Sequence, residues 1–404
     1  MAIETGRYVE NSIFFYAPSK PAPLIFTLLF TLSFLLHLYQ CIHYKSWKFT
    51  GLFPWAALVF VAGYATRTYA AFGHYDNVDV FIAATVLVYA APPVYELANY
   101  ITLGRVLYYV PYHSPLHPGR VITTFGGLSA VVEILTGNGA SYASNRKNSE
   151  GAREAGRAML KAALVIQLGV IVSFVALAAF FHVRCKRERL LPRKVAKVLW
   201  TLYASMAIIF VRTVYRTVEY FSIEDINWVD VDPQSLSPLM RYEWYFWVFE
   251  GAIMMVNTWL MNFYHPARFL PRRNNVYLAQ DGVTEVEGPG YKDKRPFWQT
   301  LLDPFDVVGI VKREDQKNRY WEEPPTGCES GGVGGGAGGE ATTTAAATAP
   351  KRNVAMVLLD PFDIFGRVTG KRKERQAQGK TQAAKQENYT AGTADKIHDE
   401  SVKV

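Results

Sequence analysis

Three charged side chains close an otherwise apolar run in the peptide RTVYRTVEY, residues 212–220. Arg212, Arg216 and Glu219 are spaced by four and three residues, so on a helix they share one face. The apolar run, residues 198–221, is long enough to cross a membrane. Charges at that depth are costly unless they are paired. We therefore expect this face to point into a protein interior.

Further ionisable residues interrupt other apolar runs of the chain. With a helix rise of about 1.5 Å per residue, Arg212 and Glu250 come to nearly the same depth in a core about 30 Å thick. Arg67 also falls in the outer half, whereas Glu133 lies near the midplane and Glu96 closer to the cytosol. The predicted substrate-binding set comprises Arg67, Glu133, Arg212, Arg216, Glu219 and Glu250.

That set allows three interpretations. It could be a balanced network of ion pairs that holds helices in register, or a site for a charged lipid headgroup. The third interpretation is a proton relay through Glu133, Glu219 and Glu250. The pattern of charges does not choose among them.

The elements that must position these residues are apolar runs of about 20 residues. Half of the 404 residues are apolar and only 19% are charged. The sequence predicts an all-α integral membrane protein with seven transmembrane helices. The predicted spans are residues 22–42, 51–72, 80–101, 121–142, 162–182, 198–221 and 243–263.

The distribution of Lys and Arg predicts the orientation. With the N-terminus outside, the inner loops and the start of the tail hold 14 basic residues and the outer segments hold 8. We therefore expect an extracellular segment at 1–21, a membrane domain at 22–265 and a cytosolic tail at 266–404. The net charge of +8 is not a nucleic-acid signal, because the basic residues cluster beside apolar runs.

The predicted tail is polar and Gly-rich, so we expect it to be largely disordered. The hexapeptide LLDPFD occurs in it twice, at 301–306 and 358–363. Such a repeat is either a spacer or a linear motif for a cytosolic trafficking adaptor. The motif residues are Asp303, Pro304, Phe305, Asp360, Pro361 and Phe362.

Several classes of activity lack their sequence signatures. The chain has no G-x-x-x-x-G-K-[ST] phosphate loop, no G-x-S-x-G elbow and no H-E-x-x-H motif. His37 and His43 have no further ligand at a suggestive spacing, so we do not expect a metal site. The sequence predicts a protein that is not an enzyme and has no cofactor.

Short motifs spread over residues 8–268 resemble the fungal lipid-translocating exporters, also called RTA-like or aminocholesterol-resistance proteins. These motifs are His37–Trp47, Gly63–Arg67, Ala91-Pro92, Tyr100, Leu103–Arg105, Gln167, Arg212–Tyr220, Glu243 and His265-Pro266. The resemblance implies seven helices and the export or flipping of membrane lipids such as sphingoid long-chain bases, sterol-like amines or phospholipids. We expect such an exporter at the plasma membrane.

The chain departs from the pattern of that family at four positions. Phe60 and Gly126 stand where the family usually has Glu and Asp, and Glu133 and Glu250 stand where it has Gln and Asp. Because these substitutions move acidic side chains to other positions, the total charge of the membrane domain stays similar to that of the family. The lipid headgroup that fits the site could nevertheless differ. A seven-helix receptor or sensor of membrane lipids, signalling through its tail, is the alternative function, and a regulator of lipid tolerance is a third.

Overall fold

The computed structural model describes Ser12, Phe14 and Tyr16 and residues 18–114, 118–144, 148–224, 238–273 and 275–288. Helices dominate this part of the chain. They are α1 Pro21–His43, α2 Trp47–Thr50, α3 Leu52–Ala71, α4 Val78–Tyr109, α5 Arg120–Ser144, α6 Glu150–Arg187, α7 Arg193–Glu224, α8 Pro238–Arg241, α9 Glu243–Phe246 and α10 Ile253–Phe263. A π-helical turn, Trp247–Ala252, joins α9 to α10, and 3-10 helices cover Pro111–His113 and Pro266–Arg268.

Within the described residues, five helices are long and apolar enough to cross a membrane: α1, α4, α5, α6 and α7. This confirms an all-α integral membrane protein. Two predicted spans are not among the five. Helix α3 carries Arg67, and the last span is divided into α9, the π-helical turn and α10. The count of seven spans and the outside N-terminus stay predictions.

Helix α4 shows how local sequence sets the length of a span. The side chain of Asn77 accepts hydrogen bonds from the backbone N–H groups of Asp79 and Val80, which caps the N-terminus. The helix then continues through Pro92 and Pro93 to Tyr109. This continuity puts Tyr89, Glu96 and Tyr100 on one helix that contacts α3, α5 and α7.

Helices α5 and α6 approach closely at two glycines. A methyl group on Gly139 would lie 2.9 Å from the carbonyl oxygen of Gly156, and one on Gly156 would lie 2.6 Å from the backbone nitrogen of Ala143. Any larger residue would force the helices apart. Gly139 and Gly156 therefore allow the close contact between α5 and α6. Gly137 faces open space instead.

The chain after α10 folds back onto α4. Strands β1 Val276–Leu278 and β2 Glu285–Glu287 pair antiparallel, with Tyr277 opposite Val286. Arg105 donates hydrogen bonds to the carbonyl oxygens of Pro271 and Arg273 at 3.1 and 2.8 Å. The tail expected from residue 266 thus begins with an ordered hairpin, and both LLDPFD copies lie outside the described residues.

Candidate functional site

The most deeply buried ion pair of the described residues joins α7 to the π-helical turn. Nε of Arg212 donates to both carboxylate oxygens of Glu250 at 2.9 and 3.0 Å, and Nη2 donates to Oε1 at 2.7 Å. Glu250 is 0% exposed and Arg212 is 5% exposed. Bidentate pairs of this kind are among the strongest polar contacts in proteins. Both charges are thereby satisfied inside the bundle.

A second pair lies on the same face of α7 and is only partly buried. Nη1 of Arg216 donates to an oxygen of Glu219 and, at 2.7 Å, to the hydroxyl of Tyr89 on α4. The guanidinium carbon of Arg216 also lies 3.8 Å from the centroid of the Tyr89 ring, which is a cation–π contact. The side chains of the pair are 19% and 17% exposed. A ligand could therefore contact these two side chains without a rearrangement of the core.

Arg67 has a partner outside the predicted set. Its Nη2 lies 3.8 Å from Oε1 of Glu243 and donates to the hydroxyl of Tyr16 at 3.1 Å. Its guanidinium carbon lies 3.9 Å from the ring centroid of Phe246. Glu243 also accepts hydrogen bonds from the backbone N–H of Ser19 at 3.0 and 3.2 Å. This pair ties the segment before α1 to α3 and α9.

The three pairs form one electrostatically connected belt. The guanidinium carbons of Arg212 and Arg216 lie 5.8 and 3.8 Å from the centroid of the same Tyr89 ring, and that of Arg67 lies 5.3 Å from the ring centroid of Trp247, on the same π-helical turn as Glu250. Glu219 interacts electrostatically with Glu250 and Arg212 as well as with Arg216. The belt holds three arginines and three glutamates: Arg67, Arg212, Arg216, Glu219, Glu243 and Glu250. Its formal charges balance.

Glu133 forms no ion pair with this belt among the described residues, although Arg212 acts on it electrostatically. It lies near the middle of α5, is exposed, and follows the 3%-exposed Val132. Its neighbour Ile134 is also exposed. A carboxylate at this position of a membrane helix is costly unless a polar group or a ligand meets it. Glu133 lines a narrow crevice between α4, α5 and α6, whose residues are Pro93, Glu96, Ser129, Val132, Glu133, Gln167 and Val170.

The inner wall of the crevice carries a second acid, Glu96, which is 1% exposed. Its carboxylate accepts hydrogen bonds from Nε2 of Gln167 at 2.8 Å and from the hydroxyl of Tyr100 at 3.1 Å. Both donors are neutral. In the part of the chain that the structure describes, neither Glu96 nor Glu133 forms an ion pair with Lys or Arg. Arg212 acts on both electrostatically but is hydrogen-bonded to Glu250.

This geometry fits a cation better than an anion. The arginines of the belt already have carboxylate partners, whereas neither acid of the crevice has a Lys or Arg partner among the described residues. An ammonium group has three donors and could engage both carboxylates. Nothing in the described residues favours a metal ion, because no three His, Cys, Asp or Glu side chains come together there.

Sequence reasoning found most of these residues but grouped them differently. It placed Glu133 with the arginines; in the structure Glu133 lines the crevice together with Glu96 and also interacts electrostatically with Arg212. Glu96 was visible as an acid inside a predicted span. Its pairing with Gln167, 71 residues away, has no local spacing signal. Tyr89 and Glu243 were missed as partners because an isolated tyrosine or a span-end acid is common in membrane helices.

Comparison with known proteins locates the chain in a family. The family model described as RTA1 like protein matches residues 53–273. The lipid-translocating exporter-like protein RTA1 of Leptosphaeria maculans is 41% identical over 325 residues, which are 77% of this chain and 62% of that relative. The match therefore spans less than two thirds of that relative's length.

Two further relatives match over similar lengths. A protein of the same name from Ajellomyces capsulatus is 29% identical over 69% of this chain and 88% of its own length. The probable lipid transporter atnI of Emericella nidulans is 25% identical over 64% of this chain and 69% of its own. No solved structure matches the chain. The family match covers more than half of the sequence, and the chain therefore belongs to the RTA1-like protein family.

Proposed function

We propose that the chain translocates amphipathic lipids across the plasma membrane. The observation that carries this proposal is a crevice lined, among the described residues, by both Glu96 and Glu133 and by no Lys, Arg or His side chain. It lies on three helices that are each long enough to span a membrane. The names of the three relatives, two of them exporter-like and one a probable lipid transporter, support the same function.

The surroundings of the crevice suit a lipid that keeps its tail in the bilayer. Glu133 is exposed next to Ile134, which is 58% exposed, so polar and apolar surfaces meet at the mouth. The packed helices leave almost no free volume in the crevice, so a headgroup would enter by separating α4 from α5 while the hydrocarbon chain stays against the outside of the bundle. A receptor would instead need a closed ligand pocket, whereas Glu133 is exposed on the surface of the described bundle.

The charge of the crevice selects the headgroup. An ammonium group would replace the missing cation beside Glu96 and Glu133, whereas a phosphate would be repelled. Sphingoid long-chain bases and sterol-like amines carry such a group. A phospholipid would in addition need a basic partner for its phosphate. Arg216 is the partly exposed candidate, provided that Glu219 releases it.

Purified protein in liposomes tests this function without ATP. Fluorescent lipids with and without a primary amine are placed in the inner leaflet, and their arrival in the outer leaflet is followed by a membrane-impermeant quencher. We expect faster movement of the amine-bearing lipid than in protein-free liposomes, and a smaller effect on the lipid without an amine. Equal rates with and without protein for every lipid would contradict the proposal.

A further inference from the structure

Glu96 is a buried acid whose neighbours are almost all neutral. On its own helix Tyr100 faces it, with a donated hydrogen bond of 3.1 Å. Helix α5 contributes Ser129, whose hydroxyl lies 3.5 Å from that of Tyr100, and Glu133. Helix α6 contributes the amide of Gln167 at 2.8 Å.

Arg212 on helix α7 acts electrostatically on Glu96, but its guanidinium is held at 2.7 Å by Glu250. An ionised Glu96 would therefore be a charge with two neutral hydrogen bonds and no ion-pair partner among the described residues. Such a group inside a membrane protein is unfavourable unless it binds a cation, and that cation can be a proton or a ligand.

We propose that Glu96 carries a proton when the crevice is empty and gives up that proton when the ammonium group of a lipid binds. The inference rests on the proposed function and adds its driving force. One proton leaves Glu96 for the compartment from which the lipid loads. When the lipid leaves on the other side, Glu96 takes a proton from that side. Each cycle thus moves one ammonium lipid in one direction and one proton in the other.

The two acids have different parts in this exchange. Glu133 is exposed and can attract the ammonium group to the mouth of the crevice. Glu96 is sealed and can neutralise only one cation at a time, because a proton bound to its carboxylate removes the negative charge that the ammonium group needs. Competition at Glu96 is what couples the two movements. The exchange is electroneutral, so it responds to a pH gradient and not to a membrane potential.

The exchange is measured in proteoliposomes that enclose a pH-sensitive dye. The probe is a fluorescent single-chain alkylguanidinium amphiphile, because its N–H groups can donate to carboxylates as an ammonium group does and its permanent charge prevents it from crossing as a neutral base. A pH difference of one unit should drive the probe toward the more acidic compartment until its concentration ratio is about tenfold, as a one-to-one exchange requires. Proton movement in the opposite direction should accompany it, and protein-free liposomes should show neither.

Two variants separate coupling from translocation. Glu96→Gln keeps the shape and hydrogen bonding of the side chain but cannot exchange a proton. It should abolish both the tenfold accumulation and the proton counterflow. Glu154→Gln changes an exposed acid near the start of α6 and should leave both unchanged. If Glu96→Gln does not fold, Gln167→Leu removes one neutral donor to the carboxylate and should move the pH of half-maximal exchange upward.

The outcomes test the proton exchange separately from the proposed lipid translocation on which it rests. Movement of the probe by the wild-type protein without proton counterflow would overturn the exchange and leave translocation standing. Retention of the tenfold accumulation in Glu96→Gln would overturn it as well. If the wild-type protein moves neither the probe nor any amine lipid, the proposed function itself fails.

Discussion

The Arg212–Glu250 pair makes a quantitative test of how this bundle tolerates charge. In Glu250→Gln the carboxylate that accepts three hydrogen bonds from Arg212 becomes a neutral amide, and its NH2 group faces guanidinium donors. Because both residues are buried, the arginine is left as an uncompensated charge. Breaking a buried pair in this way costs about 3–5 kcal/mol.

The matched control is Glu219→Gln on the same face of α7. In this variant Arg216 keeps its 2.7 Å hydrogen bond to the Tyr89 hydroxyl and its cation–π contact with the Tyr89 ring, so its charge is not left without a partner. We therefore expect a smaller destabilisation, of about 1 kcal/mol. The double variant Arg212→Met with Glu250→Leu should recover most of the stability lost in Glu250→Gln, since two apolar side chains leave no buried charge.

Thermal unfolding of the purified variants in detergent, followed by tryptophan fluorescence, measures these differences. By the scaling for soluble domains, the Tm of Glu250→Gln should fall by on the order of 10 °C. The Tm of Glu219→Gln should fall by only a few degrees. Equal shifts in the two single variants, or no recovery in the double variant, would refute the view that a buried charge without a partner sets the cost.

Two other features give predictions of their own. Asn257 on α10 is fully buried, and neither polar atom of its side chain has a partner among the described residues, so Asn257→Leu should raise stability by about 1–3 kcal/mol. A lower Tm in that variant would show that Asn257 has a polar role. In the hairpin turn, the hydroxyl of Thr284 and the backbone N–H groups of Val283 and Thr284 donate to Asp281 and hold the pKa of its carboxyl below the usual value. The contribution of this carboxylate to the turn should therefore be present at neutral pH and lost as the pH falls below about 4, so that hairpin amides exchange faster with solvent. Asp281→Asn should remove that pH dependence, and an unchanged dependence would contradict the assignment.

Much of the belt could be predicted because membrane helices impose simple rules. The spacing of Arg216 and Glu219 on one helix implies their pairing, and the rise per residue places Arg212 level with Glu250. The structure has both pairs in contact. Helix periodicity and depth in the membrane suffice to predict these two pairs. An unpaired charge in the membrane costs so much free energy that few other arrangements of these side chains are possible.

Other features could not be predicted from the same rules. The partner of Arg67 is Glu243, which lies at the N-terminal end of the last helical stretch. An acidic side chain at the end of a span can be solvated, so its position does not predict an ion pair. The crevice depends on how α4, α5 and α6 pack, and Gln167 gives no charge signal. The hairpin strands are three residues each, too short for a periodic pattern to stand out.

The most direct test of the proposed headgroup site is the transport rate per protein molecule in Glu133→Gln liposomes, measured with an amine-bearing and an amine-free lipid. Loss of a charge-assisted hydrogen bond of about 1.5–3 kcal/mol should slow the amine-bearing lipid by about 10- to 100-fold. The amine-free lipid should be unaffected, and Glu154→Gln should behave as the wild-type protein does. An unchanged rate for the amine-bearing lipid in Glu133→Gln would contradict the account.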